Sequence, residues 1–257
     1  MATRTVIQYG QQPFQFINNL GIANDPYTPN NLINIYFGNT LDSNYNYALS
    51  QDLTVMFVDT SIIGIGGLDI GPLLANKVYG VYVAWDPVGK NPVSAFISSS
   101  YYHPLVPYGY DAVKLIGYVA TDGSKNIIPG KWTPYGSSAY RNFIYTPKLA
   151  VITNGTANIQ TDVNLISYIP NIGGQIVSLQ FSFTSTTPGN ALTIYSDQGN
   201  FNVYAQAANI PVTTMSNTVI TKQILIAGVV SPVFSYSVTN SGTDSATIYC
   251  NGYDFFL

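Results

Sequence analysis

Glutamate is absent from this chain of 257 residues, and charge of either sign is scarce. Nine Lys and Arg and twelve acidic residues, all Asp, leave 8% of residues charged, against roughly 25% in an ordinary soluble domain. Glu and Lys are the usual coat of solvated helix faces, so their scarcity argues against long surface helices. The net charge of −3 excludes a broad basic face, and with it nucleic-acid binding through phosphate neutralisation. A single cysteine, Cys250, excludes an internal disulfide framework. No run approaches the roughly 18 apolar residues of a membrane-spanning helix. The opening residues show no charged segment followed by an apolar run, so no secretory signal is expected. No P-loop, dinucleotide fingerprint or Cys/His zinc spacing occurs.

What remains is rich in tyrosine, 21 residues, with abundant Asn, Thr and Ser. These residues suit pleated surfaces and turns. Short apolar or alternating runs recur between Gly, Asn and Pro clusters: Leu32–Phe37, Leu53–Val58, Val78–Trp85, Val93–Ile97 and Lys114–Ala120. Val78–Trp85 is apolar on both faces, as a central strand requires. Further on come 158–167, 175–183, 191–196, 201–207, 219–227, 233–239 and 245–250. Spacing of roughly 8–15 residues with turn signals between is the mark of a sandwich or jelly roll. The expected fold is therefore all-β: an antiparallel β-sandwich, jelly-roll-like, in two β regions.

Three segments are expected. Residues 1–30 are amide-rich and breaker-bounded, carry Phe14 and Phe16, and read as a docking segment outside either sandwich. Residues 31–135 form a first β domain and 150–257 a C-terminal β-sandwich, with a boundary at about 132–150 where Pro134, Gly136, Ser137, Ser138 and Pro147 cluster. In 233–239, Phe234, Tyr236 and Val238 alternate with Ser235 and Ser237, which predicts one packed and one wet face. Asp122-Gly123 reads as hairpin chemistry. Ala246, Ile248 and Cys250 share a strand face, so Cys250 reads as a small buried hydrophobe.

Chemistry-bearing constellations are few. A Ser-His-Asp arrangement depends on the one histidine, His103, and no G-x-S-x-G element exists. Asp pairs could in principle hydrolyse glycans, yet the acids are dispersed through turns. No D-x-D-x-D spacing occurs, and without Glu there is no bidentate closing ligand. No catalytic residue, cofactor or metal is expected. The remaining candidate is aromatic: Tyr101, Tyr102, His103, Tyr108 and Tyr110 crowd one loop. Each tyrosine has an apolar face and a polar tip, suited to stacking on a sugar ring or filling an interface.

One ordered set of segments goes further. Asn31-Leu-Ile-Asn-Ile35 and Leu41-Asp42 precede Gly66-Gly-Leu-Asp-Ile-Gly71, a Tyr-Val-Trp-rich strand, and then Tyr110–Pro129 (YDAVKLIGYVATDGSKNIIP). Over about residues 30–130, and more loosely at Ile248–Tyr253, this resembles phage tail-fibre-like and virion appendage proteins. That group carries a GGLD-x-G element followed by Tyr-Asp, Ile-Gly, Thr-Asp-Gly-Ser and Asn-Ile. It often places two or three basic residues before Ile-Gly, where Lys114 stands alone here. Within the motif, Gly66, Gly67 and Gly71 read as turn positions and Asp69 as a carboxylate bonding amides of its own loop.

The resemblance implies virion structure and proximity to the host surface. Composition agrees, because a charge-poor, Tyr-rich chain with no export signal fits a virion protein released at lysis. The expected function is a non-enzymatic structural protein of a tailed phage, forming a fibre, spike or capsid-surface appendage. Expected partners are itself, as a homotrimer, and other virion proteins through residues 1–30. The alternatives are a receptor-binding tip that takes host-surface glycans at the tyrosine loop, and a small polysaccharide hydrolase.

Overall fold

The computed structural model describes residues 17–256 apart from 43, 45–46, 52–54, 135–139, 173–174, 188, 197–198, 205–214 and 227–231. Among the described residues there are strands and turns and no helix. The chain divides into two compact units, residues 1–144 with 255–257, and residues 145–254.

Unit 1 holds ten strands: β1 (Ile17–Asn19), β2 (Ile22–Asn24), β3 (Leu32–Ile35), β4 (Gly38–Leu41), β5 (Ala48–Gln51), β6 (Met56–Asp59), β7 (Val78–Trp85), β8 (Ser94–Ser98), β9 (Ala112–Ala120) and β10 (Gly130–Pro134). They form sheets in the orders β1-β4-β5, β8-β7-β9 and β10-β2-β3-β6. Central in its sheet, β7 is buried at all eight positions, as its two apolar faces predict. The far side of β9 meets β2 and β10 closely: a Cβ at Gly117 would lie 2.7 Å from Ile22 Cδ1 and 2.9 Å from Trp132 Nε1. Trp132 in turn donates from Nε1 to the Tyr118 carbonyl at 2.7 Å.

Residues 17–30 differ from the expectation of a separate docking segment. Their apolar side chains Ile17, Leu20 and Ile22 are buried, and β1 and β2 pair with β4 and β3. Asn19 and Leu20 adopt left-handed φ of 59° and 55°, which turns their carbonyls onto the buried Arg141 guanidinium. Arg141 donates from Nη1 to Leu20 O at 3.0 Å and from Nη2 to Asn19 O at 2.8 Å. Burial pulls its pKa down to about 10. Phe14 and Phe16 lie outside the described residues.

Unit 2 is entered along β11 (Tyr140–Gly155) at Tyr145, followed by β12 (Thr161–Asn164), β13 (Gln175–Ser185), β14 (Ala191–Ser196), β15 (Gly199–Tyr204), β16 (Met215–Ile226), β17 (Val233–Val238) and β18 (Ser245–Phe256). One sheet runs β11-β18-β13-β16 and the other β12-β17-β14-β15. Counted from β11 as the first of eight, the orders are 1-8-3-6 and 2-7-4-5. First pairs with eighth, second with seventh, third with sixth and fourth with fifth, so one long antiparallel ribbon is rolled into two sheets. That is a jelly roll.

Its core follows the alternation. Val177, Leu179, Phe181 and Phe183 of β13 are fully buried, against half-buried Ile176, Ser178, Gln180 and Ser182 between them. Ala246, Ile248 and Cys250 join them from β18, and burial pushes the Cys250 thiol up to about 12, in keeping with a packing role.

The expected boundary at about 132–150 brackets the division between the units, Ile144/Tyr145, which falls within the 16-residue strand β11 and not in a linker. Two local expectations are corrected. Ser235 and Ser237 are not on a wet face: both are buried in β17, which is flanked by β12 and β14. Ser235 donates to Asp162 Oδ1 at 2.6 Å, and Ser237 Oγ lies 3.0 Å from the Tyr195 hydroxyl. The turn at Asp122-Gly123 places its positive φ at Lys125 (67°), two residues later than expected.

Candidate functional site

The tyrosine loop, residues 99–110, leaves the end of β8 and returns to β9 across one face of the β8-β7-β9 sheet. Its root is core. Tyr110 packs with Tyr82, Ala84 and Phe96, and Ile65, Val106, Val113 and Leu115 close around them. Tyr82 and Phe96 stack with ring centroids 5.2 Å apart.

The loop has no ladder of its own and is held by side chains instead. The Tyr82 hydroxyl donates to Tyr101 O at 2.6 Å, with Ser100 O at 3.1 Å. Tyr101 donates to Val78 O at 3.2 Å and meets Tyr118 edge-on at 5.2 Å. Burial, first of all, pushes the phenols of Tyr82, Tyr101 and Tyr118 well above the ordinary tyrosine range. They remain neutral donors at any physiological pH. At the far end Asn91 donates from Nδ2 to Gly109 O at 2.8 Å.

The GGLD element lies against this loop. Residues 66–69 run beside β8: Gly66 N–H bonds Ala95 O, Ile97 N–H bonds Gly67 O and Asp69 N–H bonds Ile97 O, at 2.8–2.9 Å. Gly66 and Gly71 hold left-handed φ of 83° and 68°, where glycine carries no Cβ penalty. Gly67 has a different reason, close approach: a Cβ there would sit 2.2 Å from the Ile62 carbonyl oxygen. The buried Asp69 carboxylate does not bond its own loop. Its Oδ2 accepts from the Leu105 amide at 2.9 Å, 36 residues onward, and so ties the motif to the tyrosine loop.

The five tyrosine-loop candidates therefore separate. Tyr101 and Tyr110 are structural, turned into the sheet. Tyr102 and Tyr108 are 71% and 104% exposed, and His103 is exposed beside them, its amide donating to Ser100 Oγ at 3.3 Å. Sequence reasoning missed the exposed aliphatic side chains around the motif: Ile62, Ile63, Ile70, Leu74 and Leu105. An apolar residue in a strand-poor stretch reads as core, and only tertiary structure shows it outside.

The carboxylates have a common employment. Asp25, Asp42, Asp59, Asp69, Asp86, Asp122 and Asp244 each accept a backbone N–H. Asp86 alone takes Val88, Lys90 and Asn91. A one-methylene side chain reaches an amide two to five residues away in a turn, where the longer Glu does not fit as well. This gives the Glu-free acid content a physical reason. Among the described residues no three acidic, His or Cys side chains converge as metal ligands.

Comparison with known proteins adds little to this geometry. No protein family matches the chain, and no curated protein does. One solved structure, of the infectious bursal disease virus Gt strain, aligns at 13% identity over 93% of this chain and 69% of that one. Its TM-score is 0.16, a likeness that carries no argument.

Proposed function

We propose that this chain is an architectural protein of a virus particle, a fibre, spike or capsid-surface appendage of a tailed phage, with no catalytic step. The observation that carries the reading is the strand order of unit 2. An eight-stranded jelly roll is a recurrent building block of virus shells and of sugar-binding modules. The link from fold to role is analogy, and composition supports it. A surface coated with amides, hydroxyls and phenols in place of ions permits close subunit packing. The resemblance over residues 30–130 to phage appendage proteins points the same way. Seven carboxylates engaged with backbone amides leave little acid chemistry for a hydrolase.

The test is direct. Antibody raised against the purified chain is expected to decorate gradient-purified particles from the producing cells in electron micrographs. Labelling of the soluble lysate fraction alone overturns the reading.

A second reading is favoured by the exposure of Tyr102 and Tyr108 on a pinned loop: a receptor-binding tip stacking on host-surface glycans. Replacing both by Ala is expected to weaken particle adsorption, at a scale of about 1–3 kcal/mol per lost ring by analogy with base stacking. Unchanged adsorption removes that reading and leaves the architectural one standing.

A further inference from the structure

The two exposed rings of the tyrosine loop stand on backbone that buried groups grip from beneath, and each has its own anchor. Tyr102 follows Tyr101, whose carbonyl accepts the Tyr82 hydroxyl at 2.6 Å. Tyr82 is itself buried and stacked on Phe96. Tyr102 also lies inside a turn closed by the His103 amide on Ser100 Oγ, and the Ser100 amide donates in turn to Ser98 Oγ at 3.0 Å.

Tyr108 precedes Gly109, whose carbonyl accepts Asn91 Nδ2 at 2.8 Å. Asn91 is fixed by its own amide, which donates to the buried Asp86 carboxylate at 3.1 Å. The turn Pro107-Tyr108-Gly109-Tyr110 is closed by the Tyr110 amide on Pro107 O at 3.3 Å, and Gly109 holds a left-handed φ of 87°. A Cβ at Gly109 would lie 2.6 Å from Asn91 Nδ2, so the glycine also leaves room for the anchor.

An exposed ring adds little to a core, so the fold gains nothing from the direction in which it points. A stacking ligand does. Ordering a free loop on binding costs free energy comparable to what one stacked ring returns, and a loop ordered beforehand escapes that cost. Tyrosine then gives up only its side-chain torsions. Rings held at two separate turns fit a polysaccharide chain, whose successive sugars can meet both, better than a free monosaccharide.

We propose that Tyr82 and Asn91 are positioning residues for polysaccharide stacking, Tyr82 presenting the ring of Tyr102 and Asn91 presenting that of Tyr108. The proposal rests on the glycan reading of Tyr102 and Tyr108 and extends it to the residues beneath them.

The test runs the full chain through gels containing polysaccharide purified from the host-cell surface, where retardation reads affinity. Tyr82→Phe keeps the ring and its stack on Phe96. This variant and Asn91→Ala are each expected to weaken binding at least fivefold, with the parent's circular dichroism and tryptophan emission. The effect must also be specific to one ring. In a Tyr102→Ala background Tyr82→Phe is expected to add nothing, whereas in a Tyr108→Ala background it keeps its full effect. Asn91→Ala is expected to show the reverse. A generally loosened loop would weaken binding alike in both backgrounds, and that result overturns the proposal. So does binding by either anchor variant equal to the parent's. Should Asn91→Ala misfold, Gly109→Ala displaces the same anchor and is expected to follow the same pattern. A parent that is not retarded, or a Tyr102→Ala/Tyr108→Ala chain retarded as strongly as the parent, refutes the glycan reading and this proposal with it. Loss of retardation in that double variant alone, with both anchors dispensable, removes this proposal and leaves the glycan reading standing.

Discussion

Unit 1 and unit 2 are both built of antiparallel strands, but different interactions decide their conformations. In unit 2 the strands of the β11-β18-β13-β16 sheet are long, 11 residues in β13 and 12 in β18, and alternating burial along β13 sets its register. In unit 1 the first six strands have three or four residues each, too few for alternation to define a face. Order there comes from turns. Nine of the twelve described residues with positive φ lie in unit 1, and so do six of the seven carboxylates that hold backbone amides. A rolled ribbon tolerates variation in its loops because its sheets carry the fold, whereas a loop-built unit displays rigid loops to the outside.

Both tryptophans, Trp85 and Trp132, are buried in unit 1, so their emission follows that unit while far-UV circular dichroism follows both. Phe181→Ala is expected to have the largest effect. The ring is fully buried, opposite Ile220 on β16 and Ile248 on β18, and its loss should cost about 4 kcal/mol. Urea unfolding should show the circular dichroism transition shifted and the tryptophan transition largely unmoved. Equal shifts of both probes would show that the units unfold as one and would break the comparison.

Gly67→Ala should do the converse. Its Cβ would meet backbone atoms of Ile62 and Asp59 at 2.2–2.9 Å, none of which is the end of a flexible side chain. A loss of about 3 kcal/mol in the tryptophan-detected transition is expected. Gly189→Ala in unit 2, where φ is +85° and space is open, should cost only about 1–2 kcal/mol.

Asp69→Ala removes the buried carboxylate that accepts the Leu105 amide and should cost about 1–3 kcal/mol. Its sharper readout is hydrogen exchange: the Leu105 amide should lose protection while the amides of β13 keep theirs. Retained protection at Leu105 would show that the tyrosine loop is held without the motif.

Acid should give the shallowest difference. The Thr28 amide, foremost, lowers the Asp25 pKa, and the Ser61 hydroxyl lowers that of Asp59. At Asp122 and Asp244 partial burial pulls upward but is outweighed, by Asn126 at the first and by Ser185 and Asn190 at the second. A carboxylate held below its unfolded value contributes stability that is complete above about pH 4 and is lost as pH falls through the folded value. Three of these four residues are in unit 1; Asp25 and Asp244 are buried, and Asp59 and Asp122 are half-buried. The tryptophan transition should therefore weaken first below about pH 4, with both flat from there to neutrality.

Much of unit 2 was legible beforehand. The run expected at Ala191–Ser196 has the bounds of β14, and the runs expected at 175–183 and 233–239 lie within a few residues of β13 and β17. β11, the longest strand among the described residues, is not legible in the sequence, because Pro134, Gly136, Ser137, Ser138 and Pro147 look like a linker. Composition reports the local preference of a segment and not the neighbouring strand that recruits it. In β17, Ser235 and Ser237 read as solvated because a hydroxyl alone looks wet. Asp162 and Tyr195 on the flanking strands made them buried partners.

The tyrosine loop divides the two kinds of information most clearly. The all-β class, the turn chemistry of the aspartates and the burial of Cys250 follow from residue type and spacing, because each depends on contacts within a strand or a turn. That Tyr101 and Tyr110 face inward while Tyr102 and Tyr108 face outward does not. Nor do the meeting of Asp69 with Leu105 and the outward display of Ile63 and Ile70. These depend on which segments, distant along the chain, cover the β8-β7-β9 sheet. Only the closed structure supplies those neighbours, and they decide whether an apolar side chain belongs to the core or to a surface.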